Sequence, residues 1–271
     1  MKTSLVKRWL FLGYGVGCYL LFLATYAYLV GFAGNWLVPG SIDAPATTPL
    51  PLALAVDIAL LGLFAVQHSL MARPAFKAIW TRVIPRPVER STYVLASCLA
   101  LLLVMWQWHP IGPILWDVQG AWARGALVVL GAVGWLLVPA VSVTINHFDL
   151  FGLRQVWLHW CGQPYTPIPF RTPVPYNWVR HPLYVAWALA FWATPTMTLG
   201  HVLFAGLLSV YMVAASRIEE RDLIDLYGRT YAAYQRQVPA FVPRLLSAAW
   251  ATNAPPFSLP DESADWQDSA A

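Results

Sequence analysis

Between Leu50 and Met71 the only charged side chain is Asp57. A run of that length and polarity crosses a bilayer as a helix, and the chain contains several like it. They fix the class before any motif is read. Charged residues make up 11% of the 271 positions and hydrophobic ones 58%, with a mean hydropathy of +0.54, whereas a soluble domain carries roughly 25% charged residues. The expected fold class is all-α: a polytopic membrane helix bundle of about six transmembrane segments, the last two forming a C-terminal helical hairpin.

The expected segments are Leu10–Leu37, Leu50–Met71, Thr92–Trp108 and Trp122–Ile145, with Pro139 as a kink, then two shorter stretches at Leu183–Leu199 and His201–Ala215. The first begins after Lys2, Lys7 and Arg8 and is too long for a cleaved signal peptide. Arg73 to Arg90 reads as a basic loop with Pro74, Pro85 and Pro87. Phe148 to Val179 reads as a polar-aromatic segment too rich in proline to span. Ile218–Tyr234 reads as a cytoplasmic amphipathic helix that closes the bundle. Residues 1–250 are expected to form one domain, and the Pro, Ser, Ala and Asp-rich tail 251–271 to be disordered.

Charge placement tests this topology. With the N-terminus inside and the segments alternating, all of the 17 Lys and Arg residues except Arg124 fall on the inner side, as the positive-inside rule requires. Both termini are then cytoplasmic, in a bacterial inner membrane. The net charge of +4 reflects this topology and not nucleic-acid binding. Trp36, Trp106, Trp108 and Trp122 suit interfacial belts. Cys18, Cys98 and Cys161 have no paired spacing, so neither a disulfide framework nor a metal site is expected. Oligomeric state is left open by the sequence.

Polar chemistry concentrates at the inner edge. His68, His147, Asp149, Arg154, Arg180, His181, Glu219 and Glu220 all fall there, while His109 and His201 belong to the other side. The densest part is Arg180-His181-Pro182-Leu183-Tyr184, followed by Glu219-Glu220, then Gly228-Arg229-Thr230-Tyr231-Ala232-Ala233-Tyr234, then Val238-Pro239. Pro182 fits the first turn of a helix, which puts His181 at a helix mouth where an anion is favoured.

That C-terminal pattern resembles the isoprenylcysteine carboxyl methyltransferase superfamily of membrane enzymes. The motifs Gln67-His68-Ser69-Leu70-Met71-Ala72-Arg73 and Asn146-His147-Phe148-Asp149-Leu150-Phe151-Gly152 are similar to a bacterial branch holding methanethiol S-methyltransferases and NnrU-like proteins. The resemblance implies S-adenosylmethionine as cofactor, with contacts at Arg180, His181, Tyr184 and Glu219. Each residue type suits that molecule. His181 and Arg180 suit its carboxylate, Glu219 and Glu220 its ammonium or ribose, and Tyr184, Tyr231 and Tyr234 its adenine or sulfonium.

The plainer roles stand beside these. Arg180 alone is a topology anchor, Glu219 and Glu220 a solvated helix end, Tyr231 and Tyr234 one packed face. The acceptor implied by the resemblance is a small apolar thiol, methanethiol, reached at the lipid bilayer. A thiol reacts as its thiolate, so a base is expected among His147, Asp149 and His68, unless free thiolate is captured from solution. A neutral His147 capping its span is the plainer alternative. Asp57 is expected to be a neutral or hydrogen-bonded structural group. Two other functions compete: an NADPH-dependent membrane reductase related to sterol reductases, which Arg217, Arg221 and Arg229 can serve, and a non-enzymatic NnrU-like membrane protein.

Overall fold

The computed structural model describes residues 4–243. Lys2, Arg244 and the tail 251–271 lie outside the described residues. The chain runs α1 (Leu5–Gly34), α2 (Leu50–Ala72), α3 (Pro74–Trp80), α4 (Arg86–Trp106), β1 (Ile114–Asp117), α5 (Ala121–Ile145), α6 (His147–Leu150), α7 (Leu153–Trp160), α8 (Pro182–Trp192), β2 (Thr196–Thr198) and α9 (Leu199–Gln237). Among the described residues, five helices are long and apolar enough to cross a membrane, and α8 is a shorter apolar one. The architecture is thus the expected all-α bundle, with one two-stranded antiparallel ribbon, β1 with β2.

Local sequence sets the helix ends. Prolines open α2, α3, α4 and α8 in their first turns, where a missing N–H costs nothing. Asn35 closes α1 in the left-handed region, a conformation asparagine tolerates. Thr198 caps α9 by accepting from the His201 N–H at 3.0 Å.

Some segments differ from the sequence expectations. The basic loop contains α3, and the proline-rich segment begins with α6 and α7. The closing helix is not separate: α9 carries the last span straight into it, interrupted only by non-helical backbone at Gly228 (φ 54°, ψ −127°). No proline lies between Leu199 and Gln237 to stop the helix. The apolar part as far as Ser216 spans, and the polar part from Arg217 extends beyond. Trp108 leaves the expected interfacial belt for the core. It is 7% exposed, and its indole N–H donates to Ile42 O at 3.2 Å.

The bundle has two polar ends. At one, Arg73 bonds Asp222, Arg90 bonds Leu150 O, Arg171 bonds Ile145 O and Arg180 bonds Glu220, tying α2, α4, α5, α6 and α9 together. At the other, His109 meets Thr48 and His201 meets Asp43. Asp57 also serves that second end. It is 0% exposed and accepts the His109 N–H at 2.9 Å, the hydrogen-bonded role expected of it. The main core, including Phe32, Trp108, Phe191 and Phe204, fills the bundle near the same end, while lipid-type side chains such as Leu136, Val143 and Val210 face outward.

Candidate active site

The site is built where α8 begins. The Arg180 and His181 N–H groups are clamped by Pro239 O at 2.8 Å and Ala240 O at 3.0 Å, so Val238-Pro239 returns to lie beside Arg180-His181. α9 passes the same point and supplies Glu219 and Glu220.

Glu220 is the hub. Its Oε1 accepts from Arg180 Nε at 2.7 Å and from His181 Nε2 at 2.8 Å, and its Oε2 accepts from Gln235 at 2.8 Å. Arg180 also donates to Gln235 O at 3.0 Å and to Val238 O. A carboxylate only accepts, so His181 carries its proton on Nε2. Burial raises the Glu220 pKa, but the hydrogen bonds from Arg180, His181 and Gln235 outweigh it and hold the group below its ordinary 4.5. The sign follows: a depressed carboxyl stabilises the fold fully above its unfolded pKa and loses that contribution as pH falls through the folded value. The melting temperature of the detergent-purified protein should therefore fall below about pH 4.5 more steeply than that of Glu220→Gln. Equal slopes would contradict this assignment.

Glu219 is different. Its side chain is 47% exposed against 12% for Glu220. It accepts from the Tyr184 hydroxyl at 3.0 Å and lies 3.9 Å from His181 Nδ1. The Tyr184 ring stacks on His181 with centroids 5.3 Å apart and planes at 6°. A half-exposed carboxylate thus adjoins an aromatic pair, whereas Glu220 is occupied by its neighbours. Tyr231, expected to offer a face to adenine, is 2% exposed and packs with Phe170 and Tyr234. Tyr234 is also buried, and its hydroxyl donates to Tyr176 O at 2.6 Å. This aromatic cluster backs the Glu220 hub.

A second polar group lies where α2, α4 and α9 meet. Ser69 donates to the Tyr211 hydroxyl at 3.1 Å. The Tyr93 hydroxyl lies 2.9 Å from His68 Nε2 and 3.2 Å from Nδ1, and Ser97 meets Nδ1 at 3.0 Å. His68 thus bonds to Ser97 and Tyr93 and stands edge to face with the Tyr211 ring. Sequence reasoning missed Tyr93, Ser97 and Tyr211. Their one signal is polarity within apolar stretches, with Ser97 one helical turn after Tyr93.

His147 and Asp149 occupy a separate place. His147 meets Tyr19 at Nε2 and Ser142 at Nδ1, both at 2.7 Å, and burial pushes its pKa down. Asp149 pairs with Arg154 at 2.9 Å and accepts from Tyr165 at 3.4 Å. The two side chains thus bond to different partners. The stacked pair Phe22 and Phe151 packs between this region and the Tyr93 cluster.

Comparison with known proteins bears on most of the chain. The family described as NnrU protein matches residues 57–253. A methanethiol S-methyltransferase of Crocosphaera subtropica is 50% identical over 243 residues, covering 90% of this chain and 95% of that protein. One of Mycobacterium tuberculosis is 47% identical over 238 residues, covering 88% and 98%. Mouse nurim is 36% identical over 179 residues, covering 63% and 68%. No solved structure matches significantly.

Proposed function

The chain belongs to the NnrU family, and from that premise we propose that it is a membrane methyltransferase which moves a methyl group from S-adenosylmethionine to methanethiol, giving dimethyl sulfide. The observation that carries this reading is near-half identity, over almost the full length of both chains, to proteins named for that acceptor.

The donor set fits the cofactor. The ammonium calls for a carboxylate with lone pairs to spare, which Glu219 supplies. The sulfonium and adenine call for aromatic faces, which the stacked His181 and Tyr184 supply. The carboxylate calls for a cation and a helix mouth, met by Arg180 and the start of α8, where His181 stands. In this reading Glu220 holds Arg180 and His181 in place, and Tyr231 backs the hub. S-adenosylmethionine when bound supplies an electrophilic methyl carbon. The protein aligns that carbon with the acceptor sulfur and keeps water from the meeting point. A small apolar thiol partitions into lipid and enters from the bilayer side.

The excess of Lys and Arg at the Arg180 end supports a reading in which that end and both termini face the cytoplasm of a bacterial inner membrane, where the cofactor is made. Calorimetry on the detergent-purified protein tests the reading. S-adenosylmethionine should bind the wild type, and Glu219→Ala and His181→Ala should each weaken binding by about 10-fold or more, the loss of roughly one charge-assisted contact. A folded wild type that does not bind the cofactor would overturn it.

A further inference from the structure

Gln235 follows Glu220 by fifteen residues on α9, yet its Nε2 donates to Glu220 Oε2 at 2.8 Å. An unbroken helix would hold the two backbones about 22 Å apart, farther than their side chains reach. α9 therefore doubles back, and it does so at Gly228, where φ is 54° and ψ −127°. Glycine adopts that conformation readily and a residue with a Cβ does not. Tyr231, Tyr234 and Val238, beyond the turn, pack against Leu223, Ile224 and Tyr227, which precede it.

The returning segment lies across half of the site. Arg180 Nη1 donates to Gln235 O at 3.0 Å and to Val238 O. The Arg180 and His181 N–H groups donate to Pro239 O and Ala240 O, and the Phe241 ring stands 5.5 Å from the His181 ring. Beneath these contacts the His181 side chain is 6% exposed and that of Arg180 12%, while Glu219 is half open to solvent. A molecule that spans Glu219, His181 and Arg180 thus has one end free to arrive and the other end covered. The hydrogen bonds that cover it are of a kind that water replaces when they part. Glu220 keeps its own bonds to Arg180 and His181 whether or not the segment is down.

We propose that residues 229–243 are a gate over the cofactor site, hinged at Gly228 and latched by Gln235, which opens to admit S-adenosylmethionine and closes over its carboxylate end. This rests on the methyl-transfer reading. Gln235 is a positioning residue: it holds Glu220 through its side chain and Arg180 through its carbonyl, and touches no reacting atom. Lifting the gate uncovers Arg180 and His181 without dismantling the Glu220 hub, so the donor set is in place for the incoming molecule.

Two changes should loosen the gate without altering the pocket. A Cβ at Gly228 meets nothing within 4 Å, so Gly228→Ala acts on the backbone turn alone. Gln235→Leu removes the latch. Gly206→Ala, in the regular part of the same helix and also with nothing within 4 Å, is the control. Stopped-flow kinetics of S-adenosylmethionine should show association and dissociation both faster by about 10-fold in the first two variants and unchanged in the control. Affinity should change by less than about 3-fold, because the open population rises equally with and without cofactor. A merely structural weakening would speed dissociation alone. In cofactor-free protein the Arg180 and His181 amides, bonded to Pro239 O and Ala240 O, should exchange with deuterium about 10-fold faster in Gly228→Ala than in the wild type. Faster dissociation alone, or rates and exchange equal to those of the wild type, would overturn the gate and leave the methyltransferase reading intact. A folded wild type that binds no cofactor would overturn both.

Discussion

Glu220→Ala is expected to destabilise the detergent-purified protein by about 3–5 kcal/mol, the cost of leaving a buried charge without its partner. The carboxylate touches Arg180, His181 and Gln235 at once, and both members of the Arg180 pair have side chains only 12% exposed. Removing it leaves the guanidinium with backbone carbonyls alone and takes from His181 the acceptor of its Nε2 proton. The clip between Arg180-His181 and Pro239-Ala240 then keeps only the Arg180 bond to Gln235 O at the end of α9 and loses its tie to the Glu220 turn. Glu219→Ala, one residue away, should do the reverse. Its side chain is 47% exposed, so stability should change by less than about 1 kcal/mol, while cofactor binding falls. Thermal and denaturant unfolding, read beside calorimetry, separate the two. Similar stability losses in both variants would remove the distinction between hub and ligand.

Gly134→Val is expected to have the second-largest effect. A Cβ at Gly134 would lie 2.5 Å from Ala190 N, 2.8 Å from Ala190 Cα and 2.9 Å from Leu189 C. These are backbone atoms of α8 and cannot swing aside as a side chain can. Small residues allow helices in a membrane to approach this closely. Pushing α8 away from α5 should cost at least about 1–3 kcal/mol, the usual penalty for overpacking. It should also weaken cofactor binding, since α8 carries Tyr184 and starts at His181. Gly125→Ala on the same helix is the control. A Cβ there meets nothing within 4 Å, so the change should be neutral or stabilise by up to about 1 kcal/mol. Comparable losses at both positions would show that the close approach is not what matters.

The spans were readable because lipid demands long apolar helices, and Leu50–Met71 or Trp122–Ile145 leave little choice. Of the helix ends, the Pro182 start of α8 was readable from proline, whereas α4 begins at Arg86, ahead of the expected Thr92, and α8 ends at Trp192, short of the expected Leu199. The continuity of α9 was not readable. Its polarity changes at Arg217, which looks like a boundary, yet the backbone meets no breaker there. Trp108 was misplaced because a tryptophan near a span end has the composition of a belt residue whether it faces headgroups or Phe32 and Phe204.

Arg180, His181, Tyr184, Glu219 and Glu220 were named from the family resemblance, and the structure brings them together. What the sequence lacked was the division between them. Two adjacent glutamates look alike in one dimension, and only packing makes one a hub and leaves the other half exposed. His68 could be nominated, but Tyr93, Ser97 and Tyr211 are single polar residues in apolar runs. They acquire meaning only where α2, α4 and α9 meet.

The central claim is methyl transfer to a small thiol. The most direct test gives the purified wild-type protein S-adenosylmethionine bearing a deuterated methyl group, together with methanethiol, and analyses the headspace by mass spectrometry. The account predicts dimethyl sulfide with one deuterated methyl, formed in step with S-adenosylhomocysteine and lost in Glu219→Ala. Folded, cofactor-loaded protein that yields no labelled sulfide above the protein-free reaction would contradict it.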